Sequence, residues 1–314
     1  MTVSIIIAVK TWQKNLEECV SSCLLLNYPD FEIIVIPDEI FEYENPNVRI
    51  IPSSNVSPAE KRDIGAKVAE GEILAFIDDD VYPSIDWLIN AIKSFKDPDI
   101  AAVGGPALTP ESDSPRRRAS GKVYESYLVS GPYTYRYRKE RKRFVDDYPS
   151  CNLLVRKDVF QELGGFDTKY WPGEDTKLCL DMVHKLNKKI IYDPEALVYH
   201  HRRELFIPHL KQVKSYALHR GYFAKVLPET SCKLAYFIPS LFVLGLVAGG
   251  LLSQFSVVVR SIYLFTLLLY FILVGLVSKG SSPLLVFIGV VLTHLTYGLF
   301  FIKGLLSKSL KEDS

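Results

Sequence analysis

Three consecutive carboxylates, Asp78, Asp79 and Asp80, end an apolar run of Ile73, Leu74, Ala75, Phe76 and Ile77. The run has the length and composition of a buried strand. Packing gives no reason for such an ending, because adjacent carboxylates repel and each loses hydration as it is enclosed. Two remedies exist: the triplet stays in water as a solvated turn, or a divalent cation neutralises it. Mg²⁺ and Mn²⁺ take oxygen ligands, use one or two carboxylates and complete their shells with substrate phosphates. A second acidic pair, Glu174-Asp175, follows Trp171-Pro172-Gly173 and opens a helical pattern from Thr176 to Leu186. An acidic pair there compensates the helix dipole. A carboxylate reached through a glycine turn also suits a general base. Farther on, one imidazole of His200-His201 could complete a metal shell, or both could be surface residues.

These groups need a scaffold, and the chain predicts one. Val3 to Val9 is a β-branched strand, and Leu16, Cys19, Val20, Cys23 and Leu24 recur at helical spacing. A buried strand over Phe31 to Ile36 ends at Pro37-Asp38-Glu39, and Val48 to Ile51 makes a short third strand. Ser57-Pro58 starts a helix that carries Lys61 and Arg62 and stops near Gly71. Strand, helix, strand, strand, helix, strand is an α/β pattern with a mainly parallel sheet. In such sheets ligands sit at the carboxyl ends of the strands, where Asp38 and the triplet both fall. Pro83 to Phe95 reads as a helix, Ile100 to Pro106 and Ser150 to Val155 as strands, and Gly164-Gly165-Phe166-Asp167 as a turn.

The segment from Thr109 to Tyr148 reads as the least regular. Between Arg116 and Arg143 ten Lys or Arg face two acids, with five tyrosines interleaved. It is either a solvated loop or a mobile, basic and aromatic flap at a membrane surface. Net charge is +1 and no nucleic-acid motif occurs, so nucleic acid is not an expected partner. Five cysteines lack metal-finger spacing, and Cys19 and Cys23 read as core.

Mean hydropathy is slightly positive, and the cause is local. Pro208 to Lys225 reads as an amphipathic interfacial helix. Three membrane candidates follow, about Leu234–Leu252, Ser261–Val277 and Pro283–Ile302, with His294 of the third facing the bundle. The N-terminal strand lacks the features of a secretory segment. The expected location is therefore a cell membrane, multi-pass, with the globular domain on the cytoplasmic face.

Six motifs in order, namely VIPD at Asp38, SPAEKRDIGAKVAEGEILAFIDDD, SCNLLVRKDVF, GGFD, PGEDTKLCL and YHHRR, make the chain resemble glycosyltransferase family 2 with its GT-A fold. The resemblance covers about residues 1–225 and is closest to membrane-anchored members. It implies a GT-A domain over 1–205, an interfacial linker helix over 206–230, transmembrane helices over 231–305 and a polar tail over 306–314. It also implies roles. Asp38 binds the base of a nucleotide-diphosphate sugar, Asp78 contacts the ribose with Asp79 beside it, and Lys61 and Arg62 meet phosphate. Asp80 holds Mg²⁺ or Mn²⁺ with His200, or less favourably His201, and Asp175 with Glu174 beside it deprotonates an acceptor hydroxyl for inverting transfer. Lys10 departs from the family's pattern, in which relatives often have an aromatic or threonine-type residue.

Processive members carry a Gln-x-x-Arg-Trp box, whereas the corresponding stretch here starts at Gln212 and reads Gln-Val-Lys-Ser-Tyr. The expected reaction is therefore transfer of a single sugar to a lipid-linked (polyprenyl) saccharide. The alternatives are a polyprenyl-phosphate glycosyltransferase, a processive synthase, a silent scaffold of a glycan-assembly complex and, more distantly, a nucleotidyltransferase.

Overall fold

The computed structural model describes residues 1–280 and 282–310. The expected polar tail therefore lies outside the described residues from 311 onward. The strands are β1 (Val3–Ala8), β2 (Phe31–Ile36), β3 (Val48–Ile50), β4 (Ile73–Asp78), β5 (Val81–Pro83), β6 (Ile100–Gly104), β7 (Ala107–Leu108), β8 (Arg143–Val145), β9 (Asn152–Arg156), β10 (Lys189–Tyr192) and β11 (Val198–His200). The helices are α1 (Lys14–Leu24), α2 (Pro58–Val68), α3 (Trp87–Ser94), α4 (Pro115–Glu125), α5 (Tyr127–Ser130), α6 (Lys157–Glu162) and α7 (Glu174–His184). After them come α8 (Ile207–Val226), α9 (Pro228–Ser231), α10 (Leu234–Leu252), α11 (Val257–Val277) and α12 (Pro283–Leu306). They form two compact units, Met1–Leu108 with Tyr135–His201, and Thr109–Thr134 with Arg202–Ser314.

The first unit is built on an eight-stranded sheet of order β3-β2-β1-β4-β9-β6-β10-β8. β1 lies at its heart because Val3, Ile5, Ile6 and Ile7 are wholly buried and suit a strand covered on both faces. β2 and β4 flank it in parallel, so Ala8 stands beside Ile36 on one side and Asp78 on the other. The sheet is mixed rather than mainly parallel, since β9 runs antiparallel between β4 and β6. A strand buried on both faces shows the same apolar run in either direction, so its sense is invisible in sequence. The expected helix from Pro83 is also corrected. Val81–Pro83 is an edge strand, where a missing N–H is tolerated, and the helix begins at Trp87. β5 joins β11 and β7 in a small second sheet.

In the second unit, part of the expected irregular segment is the helix α4. Ser114 caps it by accepting a hydrogen bond from the Arg117 N–H, and Pro115 sits in the first turn. α8 buries part of its length against the neighbouring helix, with Tyr216 of the expected apolar stripe exposed. His209, Val213, Ala217 and Gly221 are buried, and the helix packs along α12. The crossing is close. A Cβ on Gly221 would collide with the Phe301 carbonyl, and one on Gly304 with the Leu218 carbonyl. Gly221→Ala should therefore destabilise the protein by about 1–3 kcal/mol through overpacking, read as a lower melting temperature in detergent. An unchanged melt would show that these helices do not need this spacing.

α10, α11 and α12 are each long and apolar enough to cross a membrane. α11 leaves Val258, Ile262, Phe265 and Leu269 exposed, an apolar surface of the kind that meets lipid or a protein partner. His294 faces the bundle as expected, donating from Nε2 to the Leu128 carbonyl at 2.8 Å while Nδ1 meets the Tyr270 hydroxyl at 3.0 Å.

Candidate active site

The parallel register of β1, β2 and β4 delivers the first acids to one edge. After β2 the backbone stays tied to the end of β1, for the Asp38 N–H donates to the Lys10 carbonyl at 3.0 Å. α2 then supplies two cations from one turn. Its start is fixed by a capping box between Ser57 and Glu60. Lys61 is buried, with its ammonium on the Asp38 carboxylate and the Val9 carbonyl. Arg62, also buried, donates from Nη2 to Asp78 at 2.7 Å and from Nη1 to Glu174 at 3.0 Å. Burial alone would lower the guanidinium pKa, but Asp78 and Glu174 outweigh it and hold Arg62 above its ordinary value.

The rest of the triplet divides its contacts. Asp79 accepts from the Gln13 side chain and is pushed up to about 6, first by burial and then by Asp80 and Asp78. Asp80 is buried and lies 3.3 Å from His200 Nε2. β11 makes that meeting possible, because its antiparallel register with β5 sets His200 beside Val81. The Asp80 carbonyl accepts from the His201 N–H at 3.0 Å, while the His201 ring turns to Glu18 at 2.8 Å. Of the two histidines, His200 is therefore the one placed at the triplet.

Among the described residues, no group of three or more His, Cys, Asp and Glu could hold a metal by itself. The donor set nevertheless fits Mg²⁺ or Mn²⁺. One carboxylate and one imidazole stand together beside the other acids of the triplet, and such ions draw their remaining ligands from water and substrate phosphate.

Asp175 occupies the first turn of α7, entered through Gly173 at φ 146°, a conformation suited to glycine. It is half-buried, accepting from the Thr176 N–H at 2.7 Å and the Ser150 N–H at 3.2 Å. Enclosure, and then the charges of Glu174 and Asp147, push it up to about 7. Glu174 points elsewhere: it is 4% exposed and locked on Arg62. The expected sites thus come together as Lys61 with Asp38, Arg62 with Asp78 and Glu174, and Asp80 with His200. Sequence reading missed Gln13, Glu18 and Asp147, none of which carries a local signal.

The sequence profile of glycosyl transferase family 2 matches residues 4–164, just over half of the chain. The chain belongs to glycosyltransferase family 2. A glucosyl-dolichyl phosphate glucuronosyltransferase of Haloferax volcanii is 25% identical over 64% of this chain and 69% of its own length. Glycosyltransferase AglE of the same organism is 27% identical over 59% and 63%. The succinoglycan biosynthesis protein ExoM of Rhizobium meliloti is 30% identical over 47% and 45%, so the chain spans under half of that relative. Among solved structures, the mannosyltransferase PcManGT from Pyrobaculum calidifontis, in complex with GDP-Man and Mn²⁺, superposes with a TM-score of 0.66. That superposition covers 98% of this chain and 88% of the other at 15% identity, a likeness of fold. GalNAc-T7 with UDP, GalNAc and Mn²⁺ gives 0.50 over 74% of this chain and 52% of its own, at 17% identity.

As a family 2 glycosyltransferase the chain has a GT-A-like α/β domain, followed by a helical region with three long apolar helices. The profile match covers Asp38, Lys61, Arg62 and the triplet but stops short of Glu174, Asp175 and His200. Geometry alone ties those three in, through Arg62 and through the register of β11.

Proposed function

We propose that this glycosyltransferase moves a single sugar from a nucleotide-diphosphate sugar to a lipid-linked saccharide in cell-surface glycan synthesis, with inversion at the anomeric carbon. The observation that carries the reading is Arg62, which joins the donor-side acid Asp78 to Glu174, the neighbour of Asp175. Asp38 reads the nucleotide base and Asp78 the ribose. Asp80 and His200 would hold Mg²⁺ or Mn²⁺, which when bound neutralises charge on the leaving diphosphate. Asp175 takes the proton of the acceptor hydroxyl as that oxygen attacks the anomeric carbon and the bond to diphosphate breaks. Glu174 keeps the helix start in register through Arg62.

Transfer of one sugar is favoured because the stretch from Gln212 to Tyr216 lacks the Arg-Trp pair of the processive box, and Gln212 itself bonds the hydroxyls of Tyr124 and Tyr216. A lipid-linked acceptor is supported by the three apolar helices and by the relative named for glucosyl-dolichyl phosphate. The globular unit lies on the cytoplasmic face, where nucleotide sugars are made.

The test incubates detergent-solubilised protein with a panel of nucleotide sugars and Mn²⁺ or Mg²⁺, with and without polyprenyl-diphosphate saccharide. Nucleoside diphosphate release from one donor, stimulated by the acceptor, is the expected result. Neither release nor binding of any donor would point to a silent scaffold. Chelation, or Asp80→Ala, should reduce turnover about a hundredfold or more, the scale of electrostatic stabilisation a bound cation gives. Full activity in chelator would remove the metal from this scheme.

A further inference from the structure

Five arginines of the second unit lie along α4 and on the segment that leads into α8. Arg116, Arg117 and Arg118 occupy the first turn of α4, and Arg202 and Arg203 lie shortly before α8. The two segments are tied together. The Leu205 N–H donates to the Arg116 carbonyl at 3.4 Å, the Ser114 hydroxyl donates to Glu204 at 2.9 Å, and the Arg202 guanidinium lies 5.9 Å over the Tyr124 ring. Three cations at the positive end of a helix oppose its dipole, so helix stability does not explain them. Nearby acids are engaged elsewhere or shared, Glu204 with Ser114 and Asp113 with Arg117 at 3.5 Å. Among the described residues Arg116 and Arg118 have no carboxylate partner, and the Arg118 Nε is enclosed without an acceptor.

The cluster also has a definite address. One turn farther along α4, Ala119 and Val123 pack with Leu205 against Val274, Val286 and Val290. Val274 lies in the last turn of α11 and Val286 in the first turn of α12. The helix that carries Arg116, Arg117 and Arg118 therefore packs by the end where α11 finishes and α12 begins, the end that faces lipid headgroups in the lipid-linked acceptor reading. Arg202 is 7% exposed and Arg118 half-buried, while Arg116 and Arg203 are exposed at the rim. Recessed guanidiniums suit a discrete phosphate gripped by several N–H groups, whereas a diffuse anionic surface attracts exposed, mobile cations.

We propose that this arginine cluster binds the phosphate or diphosphate of the polyprenyl-linked acceptor. The inference rests on the lipid-linked acceptor reading and names the group that would hold its headgroup. The test measures binding of farnesyl diphosphate to the full-length protein in detergent, for wild type, Arg116→Gln, Arg118→Gln and Arg118→Lys. Each glutamine variant should weaken binding about tenfold, the scale of one charge-assisted hydrogen bond, and Arg118→Lys should recover part of it. Arg116 is exposed, so its substitution leaves the fold intact and keeps the test decisive if Arg118→Gln unfolds.

Farnesol, pyrophosphate and phosphatidylglycerol vesicles complete the set. Farnesol should not distinguish the variants, and pyrophosphate should bind more weakly than farnesyl diphosphate. Unchanged farnesyl diphosphate affinity in both glutamine variants overturns the proposal. So does loss of vesicle binding alone, which would make the patch a general membrane anchor, or equal affinity for pyrophosphate, which would make the ligand a free phosphate. Binding needs neither donor nor turnover. A protein that releases no nucleoside diphosphate would thus refute the transferase reading without deciding this result.

Discussion

Asp175→Asn should lower kcat/KM for acceptor transfer about 10²- to 10⁴-fold, the usual contribution of a positioned general base, while donor affinity stays within about twofold of wild type. The substitution keeps the shape of the side chain and removes only its ability to take a proton. Because Asp175 is pushed up to about 7, first by enclosure and then by Glu174 and Asp147, wild-type kcat/KM should rise with pH through that region. The asparagine variant should lose that limb. Stability moves the other way. A carboxylate whose folded pKa lies above its ordinary 3.8 binds more protons folded than unfolded between about 4 and 7, so its contribution to stability falls as pH rises across that window. At pH 8 the asparagine variant should therefore melt no lower than wild type. A variant retaining transfer, or a wild-type profile flat from pH 5 to 8, would remove Asp175 from the base role.

The site was legible wherever its chemistry was local. The run from Ile73 into Asp78-Asp79-Asp80 is one strand and its edge, and Asp38 follows a second strand of the same sheet, so period and composition were enough. Glu174-Asp175 after Gly173 likewise announced a helix start. Partners far apart in the chain could not be read. Arg62 meets Glu174 across 112 positions, and His200 reaches Asp80 only through the pairing of β11 with β5. The sense of β9 was hidden because a doubly covered strand shows no alternation. α4 was hidden because its arginines outweigh the short apolar set, Ala119 and Val123, that buries its inner face.

The pairing of Arg62 also yields the largest expected loss of stability. Its guanidinium is the hydrogen-bonding partner of Glu174, which is 4% exposed, and of Asp78 at the edge of the sheet. Arg62→Met fills similar space without charge and leaves a buried carboxylate uncompensated. Removing one member of a buried pair costs about 3–5 kcal/mol, so the variant should melt well below wild type. Packing and charge separate in a second variant. Arg62→Met with Glu174→Gln removes the stranded charge, and stability should return toward wild type, because replacing both members of such a pair is often nearly neutral. Activity should not return with it, since nothing then links Asp78 to the helix start that carries Asp175. Arg62→Lys gives the intermediate case, one point charge where a fork served two acids. Thermal melts and acceptor transfer measured on the same preparations decide the matter. A double variant as unstable as Arg62→Met would assign the loss to packing, and one that is both stable and active would show that the bridge holds the fold but not the chemistry.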